Sequence, residues 1–98
     1  MTERGRDDVI RILVVDDHKL FREGLIALLR AAPETEVVGE AGTGREALGK
    51  SEELEPDVVL MDIMMPDMNG IEATRRLLAD RAGMHVIMLT MLEDDDSL

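Results

Sequence analysis

The sequence has no cysteine, which excludes a disulfide framework and a thiolate metal site and makes a reducing compartment the expected setting. It has no run near the roughly 20 apolar residues that a membrane-spanning helix needs, and residues 1–8 are polar, unlike a secretory leader. The expectation is a soluble, cytoplasmic protein with no membrane partner. Positive charge is scarce: 11 Lys and Arg stand against 22 Asp and Glu, a formal net charge of −11, which repels nucleic acid and anionic membrane alike. Action on DNA would therefore need another segment. No repeat, linker or low-complexity stretch divides the 98 residues, a length that suits one core rather than two. A chain of this size buries roughly 60–70% of its unfolded surface, so the loss of an element matters.

Three apolar runs recur without a polar interruption: Ile12 to Val15, Val58 to Met61 and Val86 to Leu89. Strands buried on both faces have this pattern. A shorter run, Val37-Val38-Gly39, is flanked by Glu36 and Glu40, as suits a strand nearer an edge. Between the runs lie helical patterns. From Leu20 to Arg30, Phe21, Leu25 and Leu29, with Gly24 and Leu28 beside them, form a stripe predicted to pack on the sheet. Arg45 to Leu54 is a weaker pattern containing Gly49, and Ile71 to Leu78 is amphipathic, with Arg75 and Arg76 facing water. Such alternation predicts a parallel sheet covered on both faces and built from right-handed crossovers. The count is four strands and three full helices, with Leu92 to Leu98 a loop or the start of a fourth helix.

Ligands of open parallel sheets sit beyond the carboxyl ends of the strands. At those ends stand Asp16 and Asp17, Asp62, and Thr90. If the first, third and fourth strands are adjacent, these side chains converge. Two carboxylates about 5 Å apart repel by roughly 3 kcal/mol at an effective dielectric near 20, and Mg²⁺, with its hard oxygen ligands, offsets that at neutral pH. The combination serves phosphoryl transfer: Asp62 as in-line nucleophile, Mg²⁺ against the transferred charge, and the Thr90 hydroxyl donating to a phosphoryl oxygen. Each acid alone reads as a solvated loop aspartate or helix cap; three at two strand ends do not.

Two other chemistries are open to the same residues. Gly42-Thr43-Gly44-Arg45-Glu46-Ala47 fits a dinucleotide-binding pattern, with Asp62 about twenty residues on. Thr43 and Glu46 also make an ordinary helix capping box, and the dinucleotide reading leaves Asp16 and Asp17 unexplained. A phosphatase with an aspartyl nucleophile would need Asp-x-Asp, whereas Asp62 is followed by Ile63 and Met64.

The segments Ile12 to His18, Val58 to Gly70 and Val86 to Thr90 together resemble, in order and spacing, the receiver domain of two-component response regulators. Finer features, Asp17 to Leu25, Val38 to Ala41 and Gly70 to Leu77, are similar to the branch with a C-terminal helix-turn-helix of the LuxR or NarL type. The resemblance implies a flavodoxin-like, doubly wound parallel α/β sheet over residues 9–98, after a flexible segment 1–8. It implies that Asp62 is the phosphoacceptor and itself a Mg²⁺ ligand, that Asp17 binds Mg²⁺ directly and Asp16 largely through water, that the Met64 carbonyl completes the ligands, and that Thr90 is the switch hydroxyl. The partner is a sensor histidine kinase, and the parent is a transcription regulator reaching DNA only through a C-terminal domain outside these residues. The chain is then no enzyme, though it assists its own phosphorylation and dephosphorylation.

Pro66, Asn69 and Gly70 are assigned scaffolding roles, with Glu72 the capping partner of Asn69. His18 and Lys19 are assigned to the loop and helix start, and the eight methionines to core and loop filling. The family pairs a lysine at the end of a fifth strand with the phosphoryl group, and neither Lys19 nor Lys50 matches it. The fold is expected to be incomplete at the C-terminus, lacking the fifth strand and last helix. The Val86 to Leu89 strand would then form an open edge, with a homodimer or domain-swapped dimer as the expected result. A receiver-like interaction module that takes no phosphate is the alternative.

Overall fold

A computed structural model describes residues 9–62, 70–80 and 83–89. In chain order the elements are β1 (Ile10–Val15), α1 (Lys19–Arg30), β2 (Thr35–Ala41), α2 (Gly44–Leu54), β3 (Val58–Asp62), α3 (Gly70–Asp80) and β4 (His85–Leu89). The strands pair in parallel in the order β2-β1-β3-β4. The expected α/β flavodoxin-like sheet is therefore present, with Val37-Val38-Gly39 on an outer strand and the first, third and fourth strands adjacent. Segment 1–8 and residues from Thr90 onward lie outside the described residues.

Alternation along β1 divides its side chains between two layers. Leu13 and Val15 join Val59, Met61, Ala47, Ala73 and Leu77 beneath α2 and α3, while Ile12 and Val14 join Ile26 beneath α1. The first crossover moves one way along the sheet and the next two the other way, and the change of covering face is what a single handedness of crossover requires. Among the described residues no helix is long and apolar enough to cross a membrane.

Two elements differ from the sequence expectation. On α1 the inward stripe is Arg22, Leu25, Ile26 and Leu29, with Ile26 fully buried, whereas Phe21 and Leu28 are 41% and 73% exposed and Gly24 faces open space. Arg22 sets this rotation: its Nη1 donates to the Asp16 carbonyl at 2.6 Å and its Nε to Glu40 Oε1 at 2.7 Å. On β4, Val86 and Met88 pack on the core beneath α2 and α3, but Ile87 is 50% exposed. The helix described on that face, α1, lies over β1 and β2 and does not cover it.

On α3, Ala73 and Leu77 are buried and Arg75 and Arg76 face water as expected. Both arginines donate to the Glu72 carboxylate, at 2.7 and 2.9 Å, and hold its pKa below the usual carboxylate value. Its expected capping partner, Asn69, lies outside the described residues.

Gly39 carries a close approach. Val38 drops out of the β1–β2 register, Ile12 pairing with Val37 and Leu13 with Gly39. A Cβ on Gly39 would stand 2.6 Å from Leu54 Cδ1 and 3.5 Å from Leu13 Cδ1. Gly39→Val should therefore cost about 1–3 kcal/mol by overpacking, against the strand preference of valine. An unchanged urea midpoint would show that Leu54 yields without cost.

Candidate functional site

The order in which successive strands are added reverses at β1, with β2 on one side and β3 and β4 on the other. Such a switch point opens a crevice at the carboxyl ends of the strands. The last partners of β1 and β3 are Val15 and Met61, so Asp16 and Asp62 follow one another across the crevice. The Asp16 amide continues the β1–β2 ladder by donating to the Ala41 carbonyl at 3.0 Å. Both carboxylates are buried: Asp16 is 1% exposed and Asp62 2%.

The turn out of β1 is made by Asp16 itself, whose Oδ1 accepts the His18 amide at 2.7 Å, the local bond for which aspartate is favoured in turns. His18 is the N-cap of α1, with extended backbone and no side-chain cap bond. Its ring therefore stays free to fold back: Nδ1 lies 3.3 Å from Asp16 Oδ1 and 3.2 Å from Asp17 Oδ1. Asp16, Asp17, His18 and Asp62 each present a ligand atom, all within 4.8 Å of one another. Arg22 braces this loop from α1 through the Asp16 carbonyl.

The structure thus gathers three sequence-predicted acids, while Thr90 and Met64 lie outside the described residues. Lys19 stands at the start of α1, 75% exposed, with its Nζ 3.8 Å from Glu23 Oε2. Sequence reasoning assigned His18 to a loop role and did not single out Arg22. The signal for His18 was its place directly after two strand-end acids; for Arg22, a cation one helical turn further on.

Bringing three carboxylates this close is unfavourable in isolation. Each pair at such separation costs roughly 3 kcal/mol at an effective dielectric near 20. Buried Asp16 Oδ2 has no hydrogen-bond partner among the described residues, and leaving a charged acceptor unsatisfied adds a further desolvation cost. A small divalent cation with oxygen ligands satisfies both requirements at once. The donor set fits Mg²⁺: few carboxylates, one side open to water through the partly exposed Asp17.

The glycine-rich loop offers no comparable site. The Glu46 amide donates to Thr43 Oγ1 at 3.0 Å, the N-cap half of the expected capping box, while Glu46 Oε1 accepts the amide of Gly42 at 2.9 Å, one residue before the cap. Asp62 stands on β3, which β1 separates from β2, so the acid is not on the strand next to the loop as a dinucleotide site requires.

Residues 12–98 match the response regulator receiver domain family. The transcriptional regulatory protein LiaR of Bacillus subtilis is 46% identical over 90 residues, covering 92% of this chain and 43% of LiaR. The chain thus spans less than half the length of that relative. A LuxR-family two-component response regulator from Aurantimonas superposes with a TM-score of 0.82 at 38% identity, over 87% of this chain and 61% of that one. A CheX–CheY–BeF₃–Mg²⁺ complex from Borrelia burgdorferi matches at 0.77 and 26% identity, over 90% of this chain and 66% of that one.

Proposed function

Because the chain belongs to the response regulator receiver domain family, we propose that it accepts a phosphoryl group on Asp62 from a sensor histidine kinase, with Mg²⁺, and so switches a transcription regulator. The observation that carries this reading is the convergence of buried Asp16 and Asp62 with Asp17 at the switch point of the sheet. Support for the metal comes from the unsatisfied Asp16 oxygen and from the similarity to the Borrelia complex with Mg²⁺.

When bound, Mg²⁺ neutralises charge on the transferred phosphoryl oxygens. A carboxylate oxygen of Asp62 forms the new P–O bond while the P–N bond of the phosphohistidine breaks, and the electron pair returns to the imidazole. The product is an acyl phosphate. Asp16, Asp17 and Asp62 would hold the cation together with the Met64 carbonyl, and the Thr90 hydroxyl would donate to the new phosphoryl group. Phosphorylation adds nearly two negative charges, and only contacts that differ between two conformations convert that charge into a shift of population. In this reading the chain is no enzyme, since Asp62 is itself modified and the chain only assists the gain and loss of its phosphate. It works in the cytoplasm, its partners are the kinase and, for a homodimer, a second copy, and DNA is reached through a further domain of the parent.

Intact-protein mass spectrometry after incubation with a small phosphodonor and Mg²⁺ tests this. One phosphoryl group on the native chain and none on Asp62→Asn is the expected result. A folded native chain that gains no mass would sink the reading and leave a receiver-like interaction module in its place.

A further inference from the structure

Beyond the three acids, the site holds a nitrogen. Two ligands at right angles about an ion bound at about 2.1 Å lie about 3 Å apart, and opposed ligands about 4.2 Å. His18 Nδ1 is 3.3 Å from Asp16 Oδ1 and 3.2 Å from Asp17 Oδ1, close to the first spacing. The whole group of Asp16, Asp17, His18 and Asp62 spans no more than 4.8 Å, close to the second. Buried Asp16 Oδ2, without a hydrogen-bond partner among the described residues, is the independent sign that the cluster awaits a ligand.

The geometry points to His18 as a further protein ligand, one that tunes the site toward borderline first-row divalent ions such as Ni²⁺, Co²⁺ or Zn²⁺. This rests on the metal reading above and deepens it. Carboxylate oxygens alone suit Mg²⁺, whereas an imidazole nitrogen adds affinity for transition ions and almost none for Mg²⁺. Position makes the ring available: His18 is 56% exposed, its amide is already held by Asp16, and its side chain caps nothing. A bare ring nitrogen at this place binds the cation that the carboxylates attract. A protonated one only donates to them. The two roles differ in ion preference, which is measurable.

The experiment is calorimetric titration with Mg²⁺ and, separately, Ni²⁺, using chain without a polyhistidine tag. All variants carry His85→Ala, because His85, the other histidine, begins β4 at the opposite end of the sheet. Adding His18→Ala should weaken Ni²⁺ binding by about tenfold or more, at least the loss that follows removal of a ligand's supporting partner. Mg²⁺ affinity should stay within about twofold. Adding Asp17→Asn instead should weaken both ions. If Asp17→Asn does so while His18→Ala leaves the Ni²⁺ to Mg²⁺ preference unchanged, the assignment of His18 is overturned and the metal site stands. A background chain that takes up neither ion overturns both.

Discussion

In metal-free buffer of low ionic strength, Asp62→Asn should be more stable than the native chain by about 1–3 kcal/mol, and Mg²⁺ should no longer stabilise it. Asp62 shares a space of 4.8 Å with two other carboxylates and is 2% exposed. Each neighbouring carboxylate repels it by roughly 3 kcal/mol at an effective dielectric near 20, part of which His18 and the polar surroundings offset. An amide removes one charge of the three, keeps the shape, and can donate to an adjacent carboxylate. For the native chain, Mg²⁺ at a hundred times its dissociation constant should contribute about 2.7 kcal/mol. Urea unfolding with and without Mg²⁺ reads both effects. An Asp62→Asn chain less stable than native without metal would mean that the acids are not the electrostatic burden described above.

Leu13→Ala should lower stability by about 3–5 kcal/mol, the largest loss expected of any substitution considered. Leu13 is 0% exposed, sits midway along β1, and contacts the layer beneath α2 and α3. Its strand is hydrogen-bonded on both sides, so the cavity has little room to collapse. Against a typical total of about 5–15 kcal/mol, much of the chain would be unfolded at moderate urea. Leu28→Ala is the matched control: with 73% of Leu28 exposed, its change should stay within about 0.5 kcal/mol. Equal losses for the two would contradict the observed rotation of α1.

The sequence stripe on α1 would have placed Leu28 on the buried side, and the reason it does not lie there is instructive. Residues 20–30 carry leucine, isoleucine and phenylalanine around most of the helix, so periodicity alone admits more than one inward face. The choice is made by Arg22, through a main-chain carbonyl on the β1 loop and a carboxylate on β2. Those partners come together only in the folded chain, and no local pattern announces them. The strands were legible for the opposite reason. Ile12 to Val15 and Val58 to Met61 need burial on both faces wherever they sit, and the acids directly after them can only fall at the carboxyl ends. That Asp16 and Asp62 become neighbours depended on strand order, which handedness and short connections restrict but which the residues do not spell out.

The placement of the acids also bears on folding. β1, α1 and β2 are consecutive and form one crossover unit, whereas β3 joins β1 only after a much longer loop has closed, and long closures are the slow ones. Asp16 and Asp17 belong to the shorter closure and Asp62 to the longer one. A cation held between them is therefore a clasp on a finished sheet. Bound there, it stabilises only a chain in which both segments have already met, whatever the order in which they fold.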